Sequence, residues 1–463
     1  MRRGTDPQAL RPPRDPHGAA NVPTSDPGTT TGTRVAPSVV GDRPEAEHAP
    51  RPGWRTLLAV GAGSMAGRVS RRLGLGAGAI IGGRVALALD PSVLTRLAAG
   101  RRVVLVSGTN GKTTTSHLLA AALRTAGPVA HNGSGANMPD GAVAALMAGR
   151  NAPVAVIEVD ELHLAAVAAA VRPAVVVLLN LSRDQLDRGS EVRAVAASMA
   201  DAIGAHTDTA VVANAEDPSM VGVVAGSTAT TWVSAGGRWS GDATGCPRCG
   251  EALRRSPGES GWSCGCGLAR PDPEWTVAAA TVLNGERAIP VRLQLPGEFN
   301  VGNAAMAIAA ASLMGVEPYR AAAAMTQLTE VAGRYAVVTH RGRRLRLLLA
   351  KNPAGWAETL PLLDDRRPLL LVVNAREADG RDTSWLWDVP FEDLAPRRVV
   401  VAGDRAADVG VRLTYAGIEH TTVADPLVAV QLVPAGAVDV VANYTAFTQL
   451  RRRLSADRAG GAT

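Results

Sequence analysis

The sequence predicts an α/β protein built on parallel sheets, and three observations predict it. Short, fully apolar runs recur between Ala-rich segments with helical spacing. The first strong run leads into a Gly-rich turn that ends in Lys and a series of Thr. The apolar fraction is 46% although only 3% of residues are aromatic. Cores made from Ala, Val and Leu suit sheets covered on both faces by helices. At 463 residues the chain has room for two or three domains.

Taken in order, residues 1–50 are rich in Pro, Asp, Thr and Arg, lack apolar periodicity and read as a disordered tail. A helical pattern runs from Trp54 to about Leu73. The apolar stretch within it, Leu57–Gly67, is bracketed by Arg55 and Arg68 and is too short to span a bilayer. Val103–Ser107 reads as a buried strand and Thr113–Ala126 as the helix that follows. Val154–Val159, Val175–Leu179 and Ala210–Ala213 read as further strands of the same sheet. Residues 234–272 break the rhythm and read as a small insert. Val301–Met314 resumes as a helix, and a boundary is expected near residue 332. Leu345–Ala350, Leu369–Asn374, Val399–Ala402 and Val438–Ala442 are the strands expected of a second α/β unit.

Composition excludes several functions. The formal charge is +6, but almost all of the basic residues are Arg; Lys stands only at Lys112 and Lys351. With no basic-aromatic patch, no nucleic-acid partner is expected. No apolar leader is visible and no transmembrane segment is expected, so the chain reads as cytoplasmic.

The turn after the first strand is Gly108-Thr109-Asn110-Gly111-Lys112-Thr113-Thr114-Thr115. Glycines let several backbone N–H groups face one anion, and the helix N-terminus adds its partial positive charge. Lys112 is placed to reach the outer phosphates of ATP, and the Thr113 hydroxyl to ligate Mg²⁺. Gly108 to Thr114 are therefore the expected ATP-binding residues. Cys246-Pro247-Arg248-Cys249 and Cys264-Gly265-Cys266 are two close pairs on Gly-rich turns. Four thiolates around one tetrahedral ion predict a structural Zn²⁺ site with no open coordination position.

This short phosphate loop resembles that of the Mur ligase and folylpolyglutamate synthase superfamily, and further segments fit in order. Glu158-Val159-Asp160-Glu161 ends a strand where the family keeps a Mg²⁺-binding glutamate, which matches Glu158. Asn180-Leu181-Ser182-Arg183-Asp184-Gln185-Leu186-Asp187 is similar to a family segment, with Gln185 where most members have His. Gly297-Glu298-Phe299-Asn300-Val301-Gly302-Asn303 resembles the segment whose last Asn contacts adenine, and Gly333-Arg334 the start of the family's C-terminal domain. The resemblance therefore adds Asn303 and Arg334 to the ATP-binding residues. It implies a Mur ligase-like central P-loop ATPase domain over 51–332 with a four-Cys zinc-ribbon insert at about 238–272. A Rossmann-like α/β C-terminal domain over 333–455 follows.

Too few ordered residues precede the loop for the domain that holds UDP-linked substrates in ordinary members. This leaves a folylpolyglutamate synthase-like ligase open. The four-Cys insert, Ala350-Lys351-Asn352-Pro353-Ala354-Gly355, Asp379-Gly380-Arg381-Asp382-Thr383-Ser384-Trp385 and Asn443-Tyr444-Thr445 resemble the branch of the family that amidates lipid II. That resemblance implies ATP-dependent amidation of a D-glutamate α-carboxylate with ammonia from a separate glutaminase subunit, GatD. The position matching Asp382 would complete the glutaminase Cys–His pair, with Asp379 as the neighbouring candidate. All four cysteines are spoken for by metal, so the glutaminase nucleophile is expected in another chain. A nucleotide-sensing scaffold is the alternative from another class, favoured by Gln185. Arg341-Gly342-Arg343-Arg344-Leu345-Arg346 reads as a solvated hairpin, with a lipid head group as the other reading.

Overall fold

A computed structural model describes residues 53–73, 79–183, 192–227, 229–236, 244–255, 261–331 and 333–460. The expected tail lies outside them, and so do Asp184, Gln185, Leu186 and Asp187. The chain opens with helices α1 (Trp54–Arg72), α2 (Ala79–Leu89) and α3 (Val93–Ala98). There follow β1 (Arg102–Ser107), α4 (Lys112–Arg124), β2 (Val129–His131), α5 (Pro139–Ala148), β3 (Val154–Glu158), α6 (Leu164–Val171) and β4 (Val175–Leu178). Next come α7 (Val192–Gly204), β5 (Ala210–Asn214), α8 (Pro218–Val223) and β6 (Thr230–Ser234). The insert supplies β7 (Arg254–Arg255) and β8 (Trp262–Ser263). After it come β9 (Trp275–Ala278), β10 (Thr281–Asn284), β11 (Arg287–Pro290), α9 (Glu298–Leu313) and α10 (Pro318–Met325).

These strands form one nine-stranded sheet, except for the separate β7–β8 pair, in the order β11-β10-β9-β6-β5-β4-β1-β3-β2. From β2 to β9 all neighbours are parallel. Strand β1 sits between β3 and β4, so the chain reverses its direction of travel across the sheet beside it. Ligands of open α/β sheets bind at such a switch, outside the strands' C-terminal ends. One apolar core lies under α4 and α9, the other under the α5–α6–α7 face. Strand β1 feeds both: Val104 and Val106 point one way, Val103 and Leu105 the other. That alternation explains why a wholly apolar run was needed there.

The second layer comprises β12 (Tyr335–His340), β13 (Arg343–Leu349), α11 (Pro353–Thr359), β14 (Leu369–Val372), β15 (Val399–Ala402), α12 (Ala406–Tyr415), β16 (His420–Thr422), α13 (Pro426–Leu432), β17 (Gly436–Ala442) and α14 (Tyr444–Gly460). Its sheet order is β12-β13-β17-β14-β15-β16, with only the β12–β13 pair antiparallel. The turn of that hairpin is Arg341-Gly342, at φ 44° and 77°. Arg343 and Arg346 next to it donate to the Val433 and Gln431 carbonyls and to Asp439. Helix starts are written locally. Asp217, Glu317, Asn352 and Asp425 each accept a backbone N–H of the following turn, and each is followed by Pro at the first helical position.

The sheets are parallel in their interiors as expected, and antiparallel pairs are added at the edges, at β9–β10–β11 and β12–β13. Apart from β13, which its leucines reveal, these edge strands are partly exposed, so their apolar residues form no run to be read. In the interior, glycine sets approach distances. A Cβ on Gly302 of α9 would lie 1.9 Å from the Ala235 carbonyl, whereas one on Gly204 meets nothing within 4 Å. Gly302→Ala is therefore expected to cost about 1–3 kcal/mol, and Gly204→Ala to change stability by no more than about 1 kcal/mol in the stabilising direction. Chemical denaturation of both variants checks this.

Candidate active site

Strand β1 delivers its last residue, Ser107, to a turn with two left-handed glycines, Gly108 at φ 135° and Gly111 at φ 85°. Neither tolerates a side chain: a Cβ would lie 2.8 Å from the Asn180 carbonyl at Gly108, and 2.6 Å from Asn303 Oδ1 at Gly111. The turn is held from the next strand over. Asn110 N donates to Asn180 Oδ1 (2.9 Å), and Asn180 Nδ2 donates back to the Asn110 carbonyl (3.0 Å). Ser182 N donates to Thr109 Oγ1 at 3.0 Å. Helix α4 starts at Lys112, so its free N–H groups open onto the C-terminal edge of the sheet. Asn303 accepts from Thr115 Oγ1 at 3.3 Å and lies against Gly111, which places it beside the loop.

Two carboxylates meet this helix start. Lys112 is buried; its Nζ contacts Glu161 Oε2 at 2.9 Å and also donates to the Gly108 carbonyl. Burial pushes the Lys112 ammonium toward losing its proton, but the charges of Glu161, Asp160 and Glu158 outweigh this and raise its pKa. Burial likewise pushes Glu161 up, and Lys112 then pulls it down to about 2; Lys351 adds to the pull. Glu158 Oε1 accepts from Thr113 Oγ1 at 3.1 Å. Its other oxygen, Oε2, is buried without a hydrogen-bond partner. A buried carboxylate oxygen left bare beside a hydroxyl fits a hard cation such as Mg²⁺, which takes oxygen ligands and a carboxylate or two.

The second layer closes over the same point. Arg334 Nη2 donates to Thr113 Oγ1 (3.1 Å), and Asn352 Nδ2 donates to Asn110 Oδ1 (3.2 Å). Together the layers enclose a cleft of about 520 Å³, lined by Lys112, Asn180, Asn300, Asn303, Arg334 and Lys351 among others. The chain's two lysines thus both face it.

The cysteines converge although their two turns are separate in sequence. All four sulfurs lie within 4.8 Å of one another, with Cys246–Cys266 at 3.6 Å and Cys249–Cys264 at 3.4 Å. Four sulfurs at about 2.3 Å from one zinc ion would stand about 3.8 Å apart, so the donor set fits Zn²⁺. The insert is not remote from the cleft. Trp262 Nε1 donates to the Ala215 carbonyl, Arg270 makes two hydrogen bonds to Glu216, and Arg255 lines the cleft wall.

Asp382 stands apart from this cluster, on the loop that follows β14, and is not among the residues lining the cleft. It is partly exposed, and the Ser384 N–H at 2.8 Å holds its carboxyl below the usual range. Asp379 is committed instead to holding the loop: it is buried and accepts from Thr445 N (2.8 Å), Thr445 Oγ1 and Arg376 N. Sequence reasoning quoted Glu161, Asn180 and Asn352 without giving them roles; only their contacts across the fold do so.

Comparison with known proteins agrees with this geometry. Residues 106–237 match the Mur ligase middle domain, and residues 349–447 match the MurT ligase C-terminal domain. The solved pseudomurein peptide ligase type C of Methanothermus fervidus shares the fold at TM-score 0.61 and 19% identity, covering 76% of this chain and 78% of that one. A folylpolyglutamate synthase of Thermotoga maritima shares it at TM-score 0.53 and 14% identity, covering 80% and 92%. The phosphate loop, the acidic strand end and the closing second layer are those of a Mur ligase-type protein. Among curated proteins, the chain is similar to the MurT subunit of lipid II isoglutaminyl synthase (glutamine-hydrolyzing) from Staphylococcus aureus. The two are 27% identical over 88% of this chain and 99% of that protein. The Streptococcus pneumoniae subunit of that name is also 27% identical, over 85% and 96%. The chain is thus similar to MurT subunits along most of its own length and nearly all of theirs.

Two outcomes follow from the site. Glu161→Gln leaves a buried ammonium without its counter-charge, so the nucleotide-free protein should lose about 3 kcal/mol, and saturating ATP should recover part of it. Thermal melts with and without nucleotide measure this. Metal analysis of reduced protein should find about one zinc per chain, and Cys264→Ser should lower metal content and melting temperature together.

Proposed function

We propose that this chain is the synthetase subunit of a lipid II isoglutaminyl synthase, an ATP-dependent carbon–nitrogen ligase with glutamine as the amide donor. The observation that carries the reading is the match to MurT subunits along nearly their whole length. In this reading residues 51–332 bind ATP, residues 333–455 form the C-terminal domain, and the zinc ribbon braces the cleft wall. The α-carboxylate of D-glutamate in the lipid II stem peptide attacks the γ-phosphorus of ATP. ADP leaves and an acyl phosphate forms. Ammonia then attacks the acyl carbon, phosphate leaves with the C–O bond, and the nitrogen gives up a proton. The product is the amide, D-isoglutamine.

The chain's residues would do four things. The Gly108–Thr114 loop and Asn303 hold the nucleotide, with the α4 N-terminus against its phosphates. Lys112 turns from Glu161 to the transferring phosphoryl group, where added positive charge lowers the barrier most. Thr113 and Glu158 would hold Mg²⁺, which would supply neutralising positive charge for the phosphoryl transfer. Arg334 brings a guanidinium from the second layer to the same point. Ammonia would come from a glutaminase subunit, GatD, in a heterodimer working at the inner face of the membrane. Asp382 supports a role at that junction. It is ionised, reachable from solvent and outside the ATP cleft, and a carboxylate that orients a Cys–His pair strengthens it.

Two substitutions in the purified complex separate these roles. Lys112→Ala should abolish amidation from glutamine and from added ammonia alike. Asp382→Asn should lower glutamine-driven amidation by at least about tenfold while ammonia-driven amidation persists. Equal loss of both activities in Asp382→Asn would move it to the ligase site, and loss of neither would end the shared-triad idea.

A further inference from the structure

Helix α1 is packed the reverse of an ordinary surface helix. Its inward face carries Thr56, Ala59, Val60, Gly63, Gly67 and Ser70. The large residues point to solvent: Trp54 is 69% exposed, and Leu58 and Met65 are each 62% exposed. Leu57, Val69 and Leu73 are exposed beside them, and Ile80, Ile81 and Leu89 of α2 are exposed as well. A helix that meets only water turns its large apolar side inward. Here the inner face is taken by close backbone contact with α2, since a Cβ on Gly63 would lie 2.4 Å from the Gly82 carbonyl. Small residues at the crossing and large apolar residues outside form the arrangement helices use against lipid.

Charge selects the occupant. From Gly53 to Leu89 the chain has no Asp or Glu but carries Arg55, Arg68, Arg71, Arg72 and Arg84. Arg84 is paired with Asp140 of α5. Arg55 lies over the Trp54 ring at one end of the apolar strip, and Arg71 and Arg72 close the other. Arg68 and Arg71 also line a groove of about 670 Å³ together with Arg150 and Met147. A second copy of this face would set arginines against arginines. An extended anionic surface with an apolar interior satisfies both features, and interfacial helices of Arg and Trp with Leu bind such surfaces. No helix among the described residues is long and apolar enough to cross a membrane, so attachment would lie in the interface plane.

We propose that the outward faces of α1 and α2 dock this protein on an anionic phospholipid bilayer. The proposal deepens the functional reading and rests on it for its purpose, since a lipid-carried substrate must be met at a membrane. The fold gives the docked face a route to the site. Helix α2 packs on α5, where a Cβ on Gly83 would lie 1.9 Å from the Asp140 carbonyl. Just before α5, the Asn137 carbonyl accepts from Asp160 N at 2.8 Å, two residues beyond Glu158.

The test is flotation of the purified complex with vesicles of phosphatidylcholine, with and without phosphatidylglycerol. The complex should float with the anionic vesicles at low salt and be released at high salt. A Leu58→Asp, Met65→Asp double variant should lose flotation at least tenfold. Each of Arg68→Gln and Arg71→Gln should weaken it by about fivefold. All the substituted side chains are exposed, so melting temperature and ammonia-driven amidation of a water-soluble, lipid-free precursor should not change. Failure of the wild-type complex to float, or equal flotation of the double variant, would overturn the proposal. So would a double variant that sheds its glutaminase or breaks up a dimer by light scattering, since the face would then belong to a protein. If the wild type floats, the variants do not, and no form amidates the soluble precursor, the docking surface stands and the ligase reading fails.

Discussion

The buried ammonium of Lys112 is the constraint around which the site is arranged. A lone charge in the interior of a protein is untenable, at a cost of several kcal/mol after relaxation. The fold therefore has to supply a counter-charge when no phosphate does, and Glu161 is that charge at 2.9 Å. Glu161 is in turn placed by the turn after β3, which also carries Glu158 to Thr113. Because β3 and β4 flank β1 in the sheet, the acidic turn and the Asn180 clamp approach the phosphate loop from opposite sides. A phosphate taking the place of Glu161 would enter a site already charged, at little cost in reorganisation. That is the condition under which electrostatic catalysis is effective.

The second layer is tied to the site by hydrogen bonds rather than by a shared apolar core. Arg334 meets Thr113, Asn352 meets Asn110, and Arg183 pairs with Asp388 at 3.3 Å. Polar contacts of this kind are individually modest, of the order of 1 kcal/mol. The insert contributes in a different manner. Its small apolar cluster of Val221, Cys246, Trp262, Cys264 and Leu268 is too slight to hold a fold by itself. The four converging sulfurs fit a single ion, and one bound there would brace this small unit, with Arg255 and Arg270, against the cleft wall.

Much of this was legible from one dimension. Strands β4 and β14, and β1 and β3 apart from their polar ends, are apolar runs because both of their faces are buried, and such runs can be read directly. The phosphate loop was legible because an anion needs glycines, a Lys and a helix start within a few consecutive residues. The cysteines were legible because their spacing is itself the constraint. The antiparallel edge strands were not, since Trp275–Pro290 and Tyr335–His340 are partly exposed and their burial depends on neighbours brought from elsewhere.

By itself, then, the sequence determined the class of chemistry, the presence of two α/β layers and an insert with four clustered cysteines, because each is encoded by residues close together in the chain. Tertiary structure alone decided which residues act as partners. Lys112 and Glu161, Asn110 and Asn352, and Thr113 and Arg334 are separated by 49, 242 and 221 positions. It also decided which of two neighbouring acids is committed. Asp379 turns inward to Thr445 while Asp382 stays near solvent, a difference that depends on a helix start more than sixty residues further on. The physical reason is the same in each case. A side chain's role is set by the charges and donors within a few ångströms of it, and a sequence records distance along the chain, not distance through space.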